Sequence, residues 1–261
     1  MTQGREKGKH PLYSYKAKAA YDGTAYKGWQ LQKKGIPTVQ GKIEEALSGI
    51  FDVERVKVQG ASRTDSGVHA LGQMIQFRTS KNIPLYNLLR GVNSALPADI
   101  RILDMEYADP SFHPIFSAFG KHYSYTFIYP DNPLKNRYAY TLDAPVDIIR
   151  MEKALSLFTG EKDFSAFRNM ASRDPEKSPV CHIRSFFMEH TPGTYIFHIK
   201  GNRFLYNMIR IVMGTLLGLG QGKINEEEIL KAFKTGDRKL IGKTLAPEGL
   251  VLEEVYYNDD Y

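Results

Sequence analysis

The hydrophobic pattern predicts an α+β fold in which the order βαββαβ occurs twice, giving two halves that share one sheet. Three observations carry this reading: apolar and polar residues alternate in short runs, helical spacing separates those runs, and the whole order repeats after Tyr107–Ser117. The first strand is marked by Tyr13, Tyr15, Ala17, Ala19 and Tyr21, which alternate with Ser14, Lys16 and Lys18. Thr38 can cap a helix in which Val39, Ile43, Ala46, Leu47 and Ile50 recur at helical spacing. Residues 54–60 and 72–79 read as strands flanking the turn-rich piece Gly60–His69. Leu85, Leu88, Leu89 and Val92 define a second helix, and Ile100–Met105 a closing strand.

The second half repeats the order. Tyr123, Tyr125, Phe127 and Tyr129 alternate with His122, Ser124 and Thr126, a strand with one aromatic face. Ile148, Met151, Leu155 and Phe158 form a helix. Segments 182–190 and 194–200 are strands joined by Thr191-Pro192-Gly193. Phe204 to Leu219 is a long apolar helix, Glu226–Lys234 an added one, and Leu250–Tyr257 a last strand. The expected architecture is therefore two ferredoxin-like (βαββαβ) halves sharing an antiparallel sheet flanked by helices, with a cleft between the halves. Residues 11–110 form the first half and 111–261 the second. Residues 1–10 are expected to be a flexible basic tail; they lack the apolar core of a secretory signal. RNA-recognition modules share this topology with many unrelated proteins, so topology alone decides no function.

The bulk composition narrows the classes. At 261 residues the chain can bury a substantial core. No apolar run reaches the length of a membrane span, since even Ile209–Leu219 is broken by Arg210, Gly214 and Gly218. A single cysteine, Cys181, forbids an internal disulfide, supplies no Cys-based zinc site and fits a reducing cytoplasm. The seven His are scattered, and no metal site is expected. Net charge is +6, and 16 Tyr, 14 Phe and one Trp are interleaved with Lys and Arg. That mixture suits base stacking beside phosphate contacts, although a basic surface with no such partner has the same composition.

Chemistry concentrates in Gly60-Ala61-Ser62-Arg63-Thr64-Asp65-Ser66-Gly67-Val68-His69-Ala70. Asp-Ser-Gly is also ordinary turn chemistry, with Arg63 as its surface partner. An Arg two residues from an Asp on a tight loop can, however, hold the carboxylate ionised and oriented, and such a carboxylate is a usable nucleophile. Tyr123 lies on the aromatic strand face, where core packing and function are equally served. Arg203, Asn207, Arg210 and Gly214 share a polar stripe on an otherwise apolar helix, which suits either a lined cleft or a solvent face. Trp29 reads as core or as site. Gly218-Leu219-Gly220-Gln221-Gly222-Lys223 is no phosphate loop, because Leu217 stands where the first Gly belongs and Ile224 where Ser or Thr belongs.

Arg63-Thr64-Asp65-Ser66-Gly67-Val68-His69-Ala70 resembles the catalytic-loop motif of TruA-type tRNA pseudouridine synthases. Tyr21–Gln32 resembles that family's N-terminal signature, and Thr38-Val39-Gln40 opens the expected helix. Gly91–Pro97, Phe112-His113, Phe116-Ser117-Ala118, Lys121–Tyr125, Asp163-Phe164, Phe204–Arg210 and Glu248-Gly249-Leu250 match in order, so the resemblance spans nearly the whole chain. It implies Asp65 as nucleophile, Arg63 as its positioning partner, and Tyr123, Arg210 and Leu250 around the target uracil. It further implies isomerisation of uridine at positions 38, 39 and 40 of the tRNA anticodon stem-loop by a homodimer, without metal or small-molecule cofactor. Ser62 and Ser66 stand where the family more often has Gly and Ala, and Cys181 follows Ser178-Pro179-Val180 where Arg is common. Two rival readings are an RNA-binding protein without catalysis and an Asp-dependent nucleoside hydrolase that releases free uracil.

Overall fold

Strand β1 (Tyr13–Tyr21) buries Tyr15, Ala17, Ala19 and Tyr21 on one face, as its alternation requires. The structure is a computed structural model that describes residues 12–169, 178–259 and 261; the basic segment 1–10 lies outside them. Helix α1 (Val39–Phe51) starts at Thr38, whose hydroxyl accepts from Gly41 N at 3.2 Å, and it buries Val39, Ile43, Ala46, Leu47 and Phe51. Strands β2 (Val58–Gly60) and β3 (His69–Thr79), helix α2 (Leu85–Ala95) and strand β4 (Ile100–Tyr107) complete the first half. The second contains β5 (Gly120–Ile128), β6 (Tyr140–Thr141), α3 (Ile148–Lys153), β7 (Gly160–Asp163), β8 (Val180–Thr191) and β9 (Thr194–Gly201). Helices α4 (Met208–Gly220) and α5 (Glu226–Thr235) and strand β10 (Leu250–Tyr256) follow.

One sheet runs β4-β1-β3-β10-β5-β9-β8-β7, with β2 on β3 and β6 on β5. Its ladders are antiparallel except β5 with β6 and β10 with β3. The seam between the halves is β10, which pairs antiparallel with β5 and, through Val251↔His69 and Leu252↔Ala70, parallel with β3. Strands β2 and β10 thus divide one edge of β3, with β2 taking Ile75–Phe77.

Several boundaries differ from the sequence reading, among them the helix expected through Phe158, which is α-helical only to Lys153; three others have a plain physical reason. Strand β2 begins at Val58 instead of residue 54. Arg55 is drawn to the buried Glu44 at 2.7 Å and Val56 N to Ser48 Oγ at 2.8 Å, so this stretch is tied to α1. Strand β3 begins at His69 instead of residue 72, because β10 supplies partners that no local pattern announces. Helix α4 begins at Met208 instead of Phe204, because Asn207 adopts a left-handed conformation with φ 59° and ψ 7°. Trp29 resolves as core, 1% exposed and tilted against Tyr21 at 6.0 Å.

Candidate active site at the junction of the two halves

Asp65 rides on residues 61–68, the connection between β2 and β3. Buried Gln73 closes the base of this loop: its Oε1 accepts from Ser62 N at 3.0 Å and its Nε2 donates to Ser62 O at 2.6 Å. Segment 21–29 forms the wall. The Thr64 and Tyr21 hydroxyls share a hydrogen bond of 2.8 Å, and Trp29 N donates to Thr64 O at 3.0 Å. Tyr26 O accepts from Gly67 N at 3.3 Å and from Ser66 Oγ at 3.2 Å. The approach is close enough to demand glycine. A Cβ on Gly23 would lie 2.0 Å from Val68 O, and one on Gly28, at φ 93°, would lie 2.9 Å from Thr64 O. The N-terminal signature is thus the mould of the loop.

Two residues at the start of α4 reach Asp65 from the second half. Arg210 Nη1 donates to Asp65 Oδ2 at 3.0 Å, with the two side chains 15% and 17% exposed. Arg210 is itself fixed, since its Nε donates to Leu245 O at 2.7 Å and its carbonyl accepts from Leu245 N at 3.2 Å. Asn207 Nδ2 donates to the same Asp65 oxygen at 2.5 Å. Two such donors on one oxygen fix the direction of this half-buried carboxylate.

Tyr123 and Leu250 stand on β5 and β10. In register, Leu250 pairs with Tyr125 and Leu252 with Tyr123, so all four side chains share one face of the sheet. Tyr123 meets the Phe204 ring edge-on at 5.2 Å. Burial pushes its phenol up to about 12; the neighbouring Ser62 hydroxyl opposes this and the Asp65 charge adds to it. Leu250 is 6% exposed, beside Tyr125, whose hydroxyl donates to Ala246 O at 2.8 Å.

Of the nominated residues, Asp65 and Arg210 are in direct contact, and Tyr123 and Leu250 lie on the adjoining sheet face. Arg63 stands apart. It is exposed and makes no hydrogen bond or ion pair among the described residues. The charge beside Asp65 therefore comes from the opposite half and not from two residues away, because alternate residues of the loop serve different surroundings: Ser62 and Thr64 are buried, Arg63 is not. The loop's His69 braces rather than reacts. Its Nδ1 accepts from Gly23 N at 3.1 Å, and burial pushes the imidazole below its usual range against the pull of Asp22. Among the described residues no group of three His, Cys, Asp or Glu is placed to hold a metal ion, and no helix is long and apolar enough to cross a membrane. The site residue that sequence reasoning passed over is Asn207; its only signal was its place in the polar stripe of an apolar helix.

A family model described as tRNA pseudouridine synthase matches residues 17–117 and 154–258. A tRNA pseudouridine synthase A of Latilactobacillus sakei is 37% identical over 245 residues, covering 93% of this chain and 98% of that protein. Proteins of the same name from Geotalea uraniireducens and Acetivibrio thermocellus are 43% and 42% identical over 240 residues, each covering 91% of this chain and 96% of the relative.

Proposed function

This chain belongs to the tRNA pseudouridine synthase family, and from that premise we propose that it isomerises uridine at positions 38, 39 and 40 of the tRNA anticodon stem-loop, with Asp65 as nucleophile. The observation that supports Asp65 is its anchorage: a carboxylate on the loop of one half, held through one oxygen by Arg210 and Asn207 of the other.

The chemistry breaks the N1–C1′ bond, turns the uracil and rejoins it through C5, with loss of the C5 proton. Nothing is oxidised or reduced. The target uridine must first leave its stack, since no side chain on this loop can enter a stem. Asp65 then attacks carbon and the electron pair it displaces stays on the uracil ring; when the adduct is cleaved, the O–C pair returns to the carboxylate and the ring's pair is used in the new C5–C1′ bond. Leu250 and the aromatic face around Tyr123 and Phe204 give the freed base an apolar bed. The Tyr123 phenol stays protonated at neutral pH, so it offers a hydrogen bond; it takes the C5 proton only if its own proton leaves in the same step. Arg63, exposed on the loop, is open to a tRNA phosphate, and a homodimer is the expected assembly.

The deciding experiment incubates unmodified tRNA transcripts with the protein and maps pseudouridine by position. Pseudouridine at 38, 39 and 40 is the expected result. Release of free uracil would assign the protein as a hydrolase, and tight binding with no product would leave only an RNA-binding role. In the same assay Asp65→Asn should reduce turnover at least a thousandfold (roughly 4 kcal/mol of barrier) while tRNA affinity stays near wild type. Substantial turnover by that variant removes Asp65 from the mechanism.

A further inference from the structure

Asn207 adopts a conformation that its helix does not require. It lies in the left-handed region, with φ 59° and ψ 7°, where residues other than glycine are uncommon. Its side chain makes no cap bond to α4, which it precedes. The side chain serves Asp65 instead, donating from Nδ2 to Oδ2. Its orientation is set from behind. Asn207 Oδ1 accepts from Asn169 Nδ2 at 2.9 Å, and Asn169 N donates to Tyr206 O at 3.2 Å. With the amide oxygen so engaged, the amino group is the end presented to the carboxylate. Both donors converge on one atom, Oδ2. Among the described residues Asp65 Oδ1 accepts no hydrogen bond, so its lone pairs are the ones left for reaction.

We infer that Asn207 is a positioning residue for the nucleophile: together with Arg210 it anchors Oδ2 of Asp65 and assigns Oδ1 as the atom that bonds to carbon. This rests on Asp65 being the nucleophile. In the step, one lone pair of Oδ1 forms the new O–C bond, and the pair displaced from that carbon remains on the uracil ring. Oδ2 becomes the carbonyl oxygen of the ester, still bound by its two donors. Cleavage of the ester returns the O–C pair to Oδ1 and restores the carboxylate, while the pair on the ring is used in the new C5–C1′ bond.

Two substitutions separate backbone from side chain. Asn207→Gly keeps the left-handed turn at lower strain and deletes the donor. Asn207→Asp keeps size and tolerance of that turn but sets a second carboxylate against Asp65. Single-turnover pseudouridine formation at saturating tRNA should fall roughly ten- to a hundredfold in Asn207→Gly, the loss expected for a hydrogen bond to a charged group. It should fall further in Asn207→Asp, with the tRNA Kd within about twofold of wild type in both. A second readout needs no activity: Asn207→Asp should lower Tm in wild type, and lower it much less in an Asp65→Asn background, where the repulsion is gone. Near-wild-type rates in both variants overturn the inference, as does an equal Tm penalty in the two backgrounds. If Asn207→Gly does not fold, Asn169→Ala tests the same support from behind and should lower kcat with KM unchanged; an unchanged kcat counts against it. Full turnover by Asp65→Asn, in which Asn207 is intact, would sink the nucleophile assignment itself and this inference with it.

Discussion

At Tyr123 a single oxygen separates two roles. The ring packs against Phe204 and its hydroxyl sits where the Asp65 charge is felt. Tyr123→Phe keeps the packing and the flat face but removes the phenol, so binding and flipping should survive while a late step slows. Release of tritium from uridine C5 in labelled tRNA measures that step, and it should fall at least tenfold at saturating tRNA with an unchanged Kd. Normal release would make Tyr123 a packing residue. Much of the site was nominated through the family resemblance, because the Asp, the Tyr and the second Arg stand in its short ordered motifs, while residue type alone left each of them open. The pairing among them was not legible. That Arg210, 145 residues away, meets Asp65 while Arg63 does not is decided by which face of the loop each residue occupies. Asn207 escaped for a similar reason: its effect depends on one backbone angle, and apolar spacing carries no information about that angle.

At the scale of elements, the loop that carries Asp65 is shaped more by its neighbours than by its own residues. Val68 O lies where any side-chain carbon on Gly23 would be. Gly23→Ala should therefore push the loop away from segment 21–29 and lower both Tm and kcat, while Gly35→Ala serves as its control. Gly35 also has a positive φ, 92°, but opens on empty space, so it should lose stability without losing kcat. Equal losses of kcat in the two variants would contradict the mould. A second prediction concerns β5 and β9, joined by His122 Nε2 and His198 Nδ1 at 3.0 Å. Burial, then the charges of His198 and Lys200, push His122 down from 6.5 to about 4. The folded chain thus holds this ring neutral where the unfolded chain would protonate it. Its contribution to stability is full above about pH 6.5 and is lost as pH falls toward 4. Denaturant midpoints measured from pH 7 to 5 should fall, and His122→Gln should flatten that slope; an identical slope in the variant would assign it to other groups. Strands and helices with strong periodicity were readable here. Residues 54–57 were not, because Glu44 and Ser48 claim them for a helix surface in spite of their strand-like pattern.

Across the whole molecule, the repeated order followed from periodicity, whereas the seam did not. Nothing in Leu250–Tyr256 distinguishes a strand that completes its own half from one that also joins the other. The net charge of +6 acts at this scale too. tRNA binding should weaken steeply with salt, each phosphate contact adding roughly 0.7 to 0.9 to the slope of log K against log salt, values borrowed from DNA. A titration from 50 to 300 mM salt that stays flat would rule out phosphate-dominated recognition. The seam has one more consequence, which concerns time. A ribosome makes β3 and the loop bearing Asp65 well before β10, the strand that docks one half against the other. During that interval the edge of β3 at His69 and Ala70 has no partner from β10. A chain whose synthesis stalls before residue 250 carries Asp65 without the strand that joins the sheets of the two halves.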